Sequence, residues 1–247
     1  PYYQQYGIFI KDALSGKFGE SLSEGRPSME IILERFPATL QLGLAAFLFS
    51  VVLGVPLGIL SAVKRGGVLD IIGKVLALVG QSAPTFWLGL MLMFLFAVQL
   101  EWLPPYGRQE RTSIILPAIT LGWFYVAANL RLLRSAMLDV LDSEYVKLAR
   151  AKGVSGKAVI WKHALRNALI PVLTFAGITL GGLVTGSLVV ETVFAWPGLG
   201  QLAVKALIGV DYPLLQAVVV VFTLMYVICA LLVDVMYAYI DPRIRYS

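Results

Sequence analysis

Five long stretches of the chain run free of Asp, Glu, Lys and Arg, at residues 38–63, 75–98, 112–130, 168–190 and 213–233. A helix needs about 20 mainly apolar residues to cross the hydrocarbon core of a bilayer, so each stretch predicts a membrane-spanning helix. The first is opened by Pro37 and closed by Lys64 and Arg65, and carries Gly54, Pro56 and Gly58, which membrane helices tolerate. The second is interrupted by Gln81, Ser82 and Pro84, and Pro84 is expected to kink it or split off its first turns. The third has Pro117 near its start and should continue past the bilayer as the helix carrying Arg131 and Arg134. In the fourth, Pro171 falls in the opening turn, and Gly177, Gly181, Gly182 and Gly186 form two interleaved small-xxx-small pairs that permit close packing. The fifth opens with Pro213, whose missing N–H costs nothing at a helix start.

Composition agrees: 58% of the 247 residues are hydrophobic and 14% charged, against roughly 45–50% and about 25% in a soluble domain. The one cysteine, Cys229, lies in an apolar run, which excludes a disulfide framework or a cysteine metal cluster. The formal net charge of +5 does not indicate nucleic acid, because basic residues crowd into cytoplasmic loops for topological reasons. With the five spans drawn, thirteen Lys and Arg and six Asp and Glu fall on one side, and seven and nine on the other. The basic side, which holds the loop 139–167 and the C-terminus, is therefore expected to be cytoplasmic.

Five crossings that end inside put the N-terminus outside. Residues 1–36 are polar and lack a secretory signal with an apolar core. The expected division is an external segment over 1–36 and a transmembrane domain over 37–247, with a further N-terminal span missing before Pro1.

Within the loop, SEYVKLARAKGVSGKAVIWKHALRNALIP reads as two short helices around a turn. Ser143 is placed to cap a helix over 144–152, Gly153 to stop it, and Ser155 to cap a second helix over 156–166. On the first helix Tyr145, Leu148 and Ala149 share a face, with Lys147, Arg150 and Lys152 spread over the rest. A short helix with a small apolar face and a basic rim suits docking in a groove on another protein.

This loop resembles the EAA loop of ABC importer permeases, in the form found in the dipeptide, oligopeptide and nickel group. Ala149 and Gly153 match the motif's last alanine and its glycine, while Lys147 and Leu148 stand where the simple form has glutamate and its first alanine, a departure typical of the peptide-permease branch. The resemblance covers nearly the whole chain, through PATLQLGLAAFLFSVVLGVPLGILSAVKRG from Pro37, PTFWLGLMLMFLF from Pro84, WLPPYGR from Trp102, VVETVFAWPGLGQL from Val189, DYPLLQA from Asp211 and DPRIR from Asp241. Members usually begin with one more transmembrane helix. In GKFGES, Lys17 stands where relatives often carry aspartate.

The resemblance implies an all-α polytopic bundle in a bacterial or archaeal inner membrane. It also implies a second, related permease subunit, two cytoplasmic ATPase domains with their own ATP and Mg, an external substrate-binding protein, and short peptides as the first choice of cargo, with nickel chelates and glutathione-like compounds behind. The ATPase-coupling residues it indicates are Glu144, Tyr145, Lys147, Leu148, Ala149, Ala151, Lys152 and Gly153.

The residues themselves offer no motor. A P-loop needs glycines followed by Gly-Lys-Ser/Thr, and the nearest approach, Ser155-Gly156-Lys157-Ala158, lacks the hydroxyl and the earlier glycine. The cofactor expectation for this chain is none, and no catalytic or metal residue is indicated. An intramembrane protease built on Thr185-Gly186-Ser187 lacks a histidine base, since His163, the one histidine, lies in the loop. A secondary transporter or channel is the stronger rival, but no internal repeat is evident and the span midplanes carry almost no charge. Gln81, Asn129, Arg131, Thr174, Thr185 and Glu191 are the candidate pathway or gate residues, beside Thr179 and Arg134. Helix packing or snorkelling to the headgroups competes for each. Glu191 precedes Trp196-Pro197-Gly198, read either as a folded outer cap over the cavity or as a structural turn. Asp234 is expected to pair with an arginine such as Arg131.

Overall fold

A computed structural model describes residues 1–185 and 187–240, and the side chains of these residues other than 184, 185, 233, 234 and 236–240. Among them the regular structure is helical: α1 (Tyr2–Leu14), α2 (Ser28–Val63), α3 (Val68–Ser82), α4 (Thr85–Met93), α5 (Ile115–Leu141), α6 (Glu144–Ala151), α7 (Gly156–Ala158), α8 (Leu165–Thr185), α9 (Leu188–Val193), α10 (Leu199–Ile208) and α11 (Tyr212–Ile240). Among the described residues four helices are long and apolar enough to cross a membrane. A fifth span results if the bent pair Val68–Ser82 and Thr85–Gln99 counts as one.

Proline behaves differently at each site. At Pro84 the helix breaks as expected: Ala83 is extended, as a residue before proline prefers to be, and the second arm is bent away from the first by 108°. The far arm winds into a wider π turn over Phe94–Gln99. Pro37 does not open the first span. Helix α2 starts at Ser28 and carries both Pro37 and Pro56 inside it. The charges at Glu30, Glu34 and Arg35 hide this extension in the sequence. Its other face buries Ile31 and Ile32 against Leu199, Leu202, Leu214 and Val218 of α10 and α11. Thirty-six residues reach about 54 Å, well beyond the hydrocarbon thickness of about 30 Å.

Pro171 likewise sits inside a helix rather than in an opening turn, because the second loop helix does not stop at Arg166. It runs on from α7 through a π segment, Val159–Ala164, into α8. The expected fourth span, 168–190, instead ends at Thr185, and its last residues form the separate helix α9. Gly186 and the 241–247 motif lie outside the described residues.

The most extensive packing joins α2 to α5. Gly54 and Gly58, spaced as small-xxx-small, let α5 approach until a Cβ on Gly54 would lie 2.8 Å from Asn129 Cβ and 3.0 Å from the Val126 carbonyl oxygen. On Gly58 the Leu130 carbonyl oxygen would be 3.0 Å away. From α5, Gly122 returns the contact, 2.6 Å from the Ala46 carbonyl oxygen on the same measure. In α8, Gly181 receives Cys229 and Tyr226 of α11, and Gly182 faces the Tyr125 hydroxyl. Many large apolar residues outside these contacts are exposed, including Leu78, Ile178, Leu224, Val227 and Leu231, as expected where lipid or another subunit completes the surface.

Candidate functional site

The loop helix α6 hangs on one buried residue. Val146 is fully buried, and α6 packs on the Val159–Ala164 segment. The face expected to be the apolar one, Tyr145 and Leu148, points outward and is about half exposed (45% and 56%). With the anchor at Val146, Leu148 and much of the Tyr145 ring stay on the outer face of the helix. Ser143 does occupy the N-cap position, but its hydroxyl turns back to donate to the Val140 carbonyl and makes no cap hydrogen bond. Ser155, by contrast, accepts from the Ala158 amide as expected.

Glu144 and Lys147 pair across one turn at 2.8 Å, and both are exposed. Asn167 ties Tyr145 to the start of α8, donating to the phenol oxygen at 2.9 Å and to the His163 carbonyl at 3.0 Å. Gly153 ends the helix at φ +80, with its amide on the Arg150 carbonyl. That left-handed φ is the one glycine adopts without steric cost. Ala151, Lys152 and Gly153 are exposed and Ala149 is half-buried. Trp161, 61% exposed on the adjoining segment, adds an aromatic side chain to this end that the motif reading passed over.

The opposite end is built around Glu191. Its carboxylate is fully buried, with Thr39 Oγ1 donating to Oε1 at 2.8 Å and Ser187 Oγ at 2.7 Å, and the Gly200 and Gln201 amides donating to Oε2 at 2.7 and 3.1 Å. Those two amides are orphan donors in the first turn of α10, where negative charge is favoured. Thr39 Oγ1 also accepts from the Leu199 amide at 2.7 Å, and Trp196 Nε1 donates to the Ala38 carbonyl at 2.8 Å. The WPGLG turn is thereby bolted to α2. A Cβ on Gly198 would lie 2.5 Å from both Glu191 Oε2 and Thr39 Oγ1, which explains glycine there. Arg108 lies over the Trp196 ring at 5.8 Å and donates to Gln41. Glu191 is therefore an internal anchor, not a residue facing a passage.

At the same end, buried Asp211 caps α11 through the Leu214 amide and accepts from Ser21 Oγ, Ser23 Oγ and the Ser23 amide. Burial alone would raise its pKa, but the hydroxyl and amide donors of residues 21–23 outweigh that and hold the carboxyl below the usual aspartate range. At the α6 end, fully buried Asp70 pairs with Arg134 (Nε 2.7 Å) and Lys74 (3.0 Å), and also accepts from Ser61 Oγ and the Gly66 amide. Arg134 is thus an internal ion-pair partner rather than a snorkelling residue.

The six candidate pathway residues are not gathered into one site. Asn129 is buried against α2, with Nδ2 on Ser50 Oγ at 3.5 Å and Oδ1 without a partner among the described residues. Thr174 returns its hydroxyl to the Ile170 carbonyl. Gln81 is half-buried just before the Pro84 break, and Arg131 is exposed beside α3. The side chain of Thr185 lies outside the described residues, as does that of Asp234, the expected partner of Arg131.

The fold is that of the membrane subunits of ABC transporters. A chain of the MetNI methionine ABC transporter, solved in inward-facing conformations, superposes with a TM-score of 0.72 over 86% of this chain and 97% of its own, at 22% identity. A chain of an amino acid ABC transporter solved with histidines gives 0.66 over 85% and 94%, at 13% identity. The chain belongs to the family of binding-protein-dependent transport system inner membrane components, which it matches over residues 54–246. Relatives include the dipeptide transport system permease protein DppB of Alkalihalophilus pseudofirmus, 40% identical over all of this chain and 82% of that protein. The glutathione transport system permease protein GsiC is 45% identical in Salmonella choleraesuis and 43% in Escherichia coli, over all of this chain and 81% of theirs.

Proposed function

We propose that the chain is one of two related permease subunits of an ATP-driven importer for short peptides or glutathione-like compounds. The observation that carries the coupling role is the presentation of α6: one buried valine fixes the helix, while Tyr145, Leu148 and the basic side chains stay exposed beyond it. In this reading the α6 end faces the cytoplasm and docks in a cleft on one of two ATPase domains, which hold ATP and Mg. The Glu191 end meets an external binding protein that does most of the selecting, and a second, different but related permease completes the passage. The excess of Lys and Arg at the α6 end supports that orientation, with the C-terminus inside. The names of the 40–45% identical relatives support the cargo class.

The ATPase biases a two-population switch between inward-open and outward-open arrangements, with α6 as the point of delivery. The reading is tested by reconstituting the subunits with and without the ATPase. Uptake that requires ATP and is lost on replacing Tyr145 and Leu148 with aspartate supports it. Uptake by this chain alone, without nucleotide, makes it a secondary transporter.

A further inference from the structure

Beside α3 and α5, at the end where α2 finishes and α3 begins, lies a hollow of about 290 Å³ lined by Lys74, Ala77, Leu78, Leu130, Arg131 and Arg134. Three cations meet there against one carboxylate, Asp70. That carboxylate is spent: Oδ1 takes Ser61 Oγ at 2.7 Å and Arg134 Nε at 2.7 Å, and Oδ2 takes the Gly66 amide at 3.0 Å, Arg134 Nη2 at 3.1 Å and Lys74 Nζ at 3.0 Å. Among the described residues Arg131 has no acceptor, and Arg134 spends Nε and Nη2 on Asp70 and has none for Nη1. Among the described residues the hollow thus carries two positive charges more than its own acid offsets. Cations left so in a membrane protein attract an anion from the headgroup layer, and a guanidinium fork fits phosphate oxygens.

The remaining lining is apolar, and it continues outward along α3, where Ile71, Ile72, Val75, Leu78 and Val79 are exposed. Arg131 stands sixteen residues into α5, about 24 Å from its start, which sets the cations near one edge of a hydrocarbon layer about 30 Å thick. Cations at an edge with an apolar slope beneath them match a phosphate ester that carries acyl chains better than a free anion. We propose that this hollow binds the phosphate of an anionic phospholipid, with its acyl chains along the exposed face of α3. The site itself does not depend on the transport reading; only the leaflet, the inner one, rests on the orientation given above.

The full chain, assembled with its partner permease, is placed in phosphatidylcholine nanodiscs with phosphatidylglycerol added, and retained lipid is read by native mass spectrometry. The wild type should retain phosphatidylglycerol over phosphatidylcholine. Lys74→Gln with Arg131→Gln should weaken that retention about thirtyfold, at the increment usual for two surface cations. The Lys74→Gln change keeps an N–H donor toward Asp70. Arg131→Gln alone, at a residue with no protein partner among those described, keeps the test independent of folding and should give an intermediate loss. Equal retention of the two lipids, or no change in the variants, overturns the proposal. Displacement of the lipid by excess inorganic phosphate, with equal phosphate binding in lipid-free detergent, also overturns it and assigns the hollow to a free anion. Transport is not read in any arm, so failure here is distinct from failure of the importer reading.

Discussion

Glu191 and Thr39, 152 residues apart in the chain, meet through a 2.8 Å hydrogen bond from the threonine hydroxyl to the carboxylate, both groups fully buried. The threonine passes the link on by accepting the Leu199 amide. Two residues therefore hold α2, α9 and the first turn of α10 in one arrangement.

Removing the acceptor should be costly. Glu191→Ala leaves the Thr39 hydroxyl and the Gly200 and Gln201 amides without their partner, at about 1–3 kcal/mol for each buried group so orphaned. Thermal unfolding in detergent should show a large drop in midpoint, with Glu191→Gln intermediate because it keeps one oxygen acceptor.

Glycine 198 offers a sharper contrast. A methyl group there meets the carboxylate and the hydroxyl at 2.5 Å, so Gly198→Ala should destabilise by about 1–3 kcal/mol. Gly156→Ala, where nothing lies within 4 Å, should be close to neutral in the same assay.

At Gly153 the penalty lies in the backbone. There is open space around the missing side chain, but φ is +80, so Gly153→Val should cost about 1–2 kcal/mol locally. The expected outcome is normal membrane insertion with ATP hydrolysis uncoupled from uptake, checked by measuring both in proteoliposomes. Unchanged uptake would count heavily against α6 as the docking element. Gly153→Asn should be milder, since asparagine tolerates left-handed φ.

The Asp211 clasp should fail in acid. A carboxyl whose folded pKa is depressed contributes fully above its unfolded value of about 3.9 and loses that contribution as pH falls through the folded value. Hydrogen exchange at the Ser23 amide should be slow at neutral pH and speed up, relative to the intrinsic rate, only below about pH 4. Asp211→Asn should exchange faster than the wild type at neutral pH and lose the acid dependence.

Asp70 and Arg134 should show the asymmetry of buried ion pairs. Arg134→Ala leaves a buried carboxylate with Lys74 as its remaining cation and should destabilise, by less than the about 3–5 kcal/mol of a buried charge left with no partner. The double variant Asp70→Ala with Arg134→Ala should be less damaging than the sum of the two single changes, as read from a double-mutant cycle on thermal stability.

What the sequence makes legible is whatever a bilayer or a local turn enforces. Charge-free stretches locate the spans because buried charge is expensive, and local backbone chemistry marks the break at Pro84, the stop of α6 at Gly153 and the cap of α7 at Ser155. The start of α2 is hidden because Glu30, Glu34 and Arg35 interrupt the apolar run while Ile31 and Ile32 remain inside. The roles of Glu191 and Arg134 depend on Thr39 and Asp70, partners distant in sequence, which a single chain does not reveal. One signal was present: Asp70 is a lone acid between Val68-Leu69 and Ile71-Ile72, and an acid so placed calls for a cation. On α6, Val146 and the Tyr145–Leu148 pair are both apolar, and only packing decides which turns inward.

The 108° bend at Ala83–Pro84 gives the pair α3 and α4 two separate footings. Helix α3 rests on α5 near Ala127 and Leu130, whereas α4 rests on Phe194 and Thr120 through Gly89. A straight rod laid across those supports would transmit any tilt from end to end. An elbowed one does not: the half beside the charged hollow and the half seated on Phe194 are braced on different neighbours, so a load on one is not carried straight into the other.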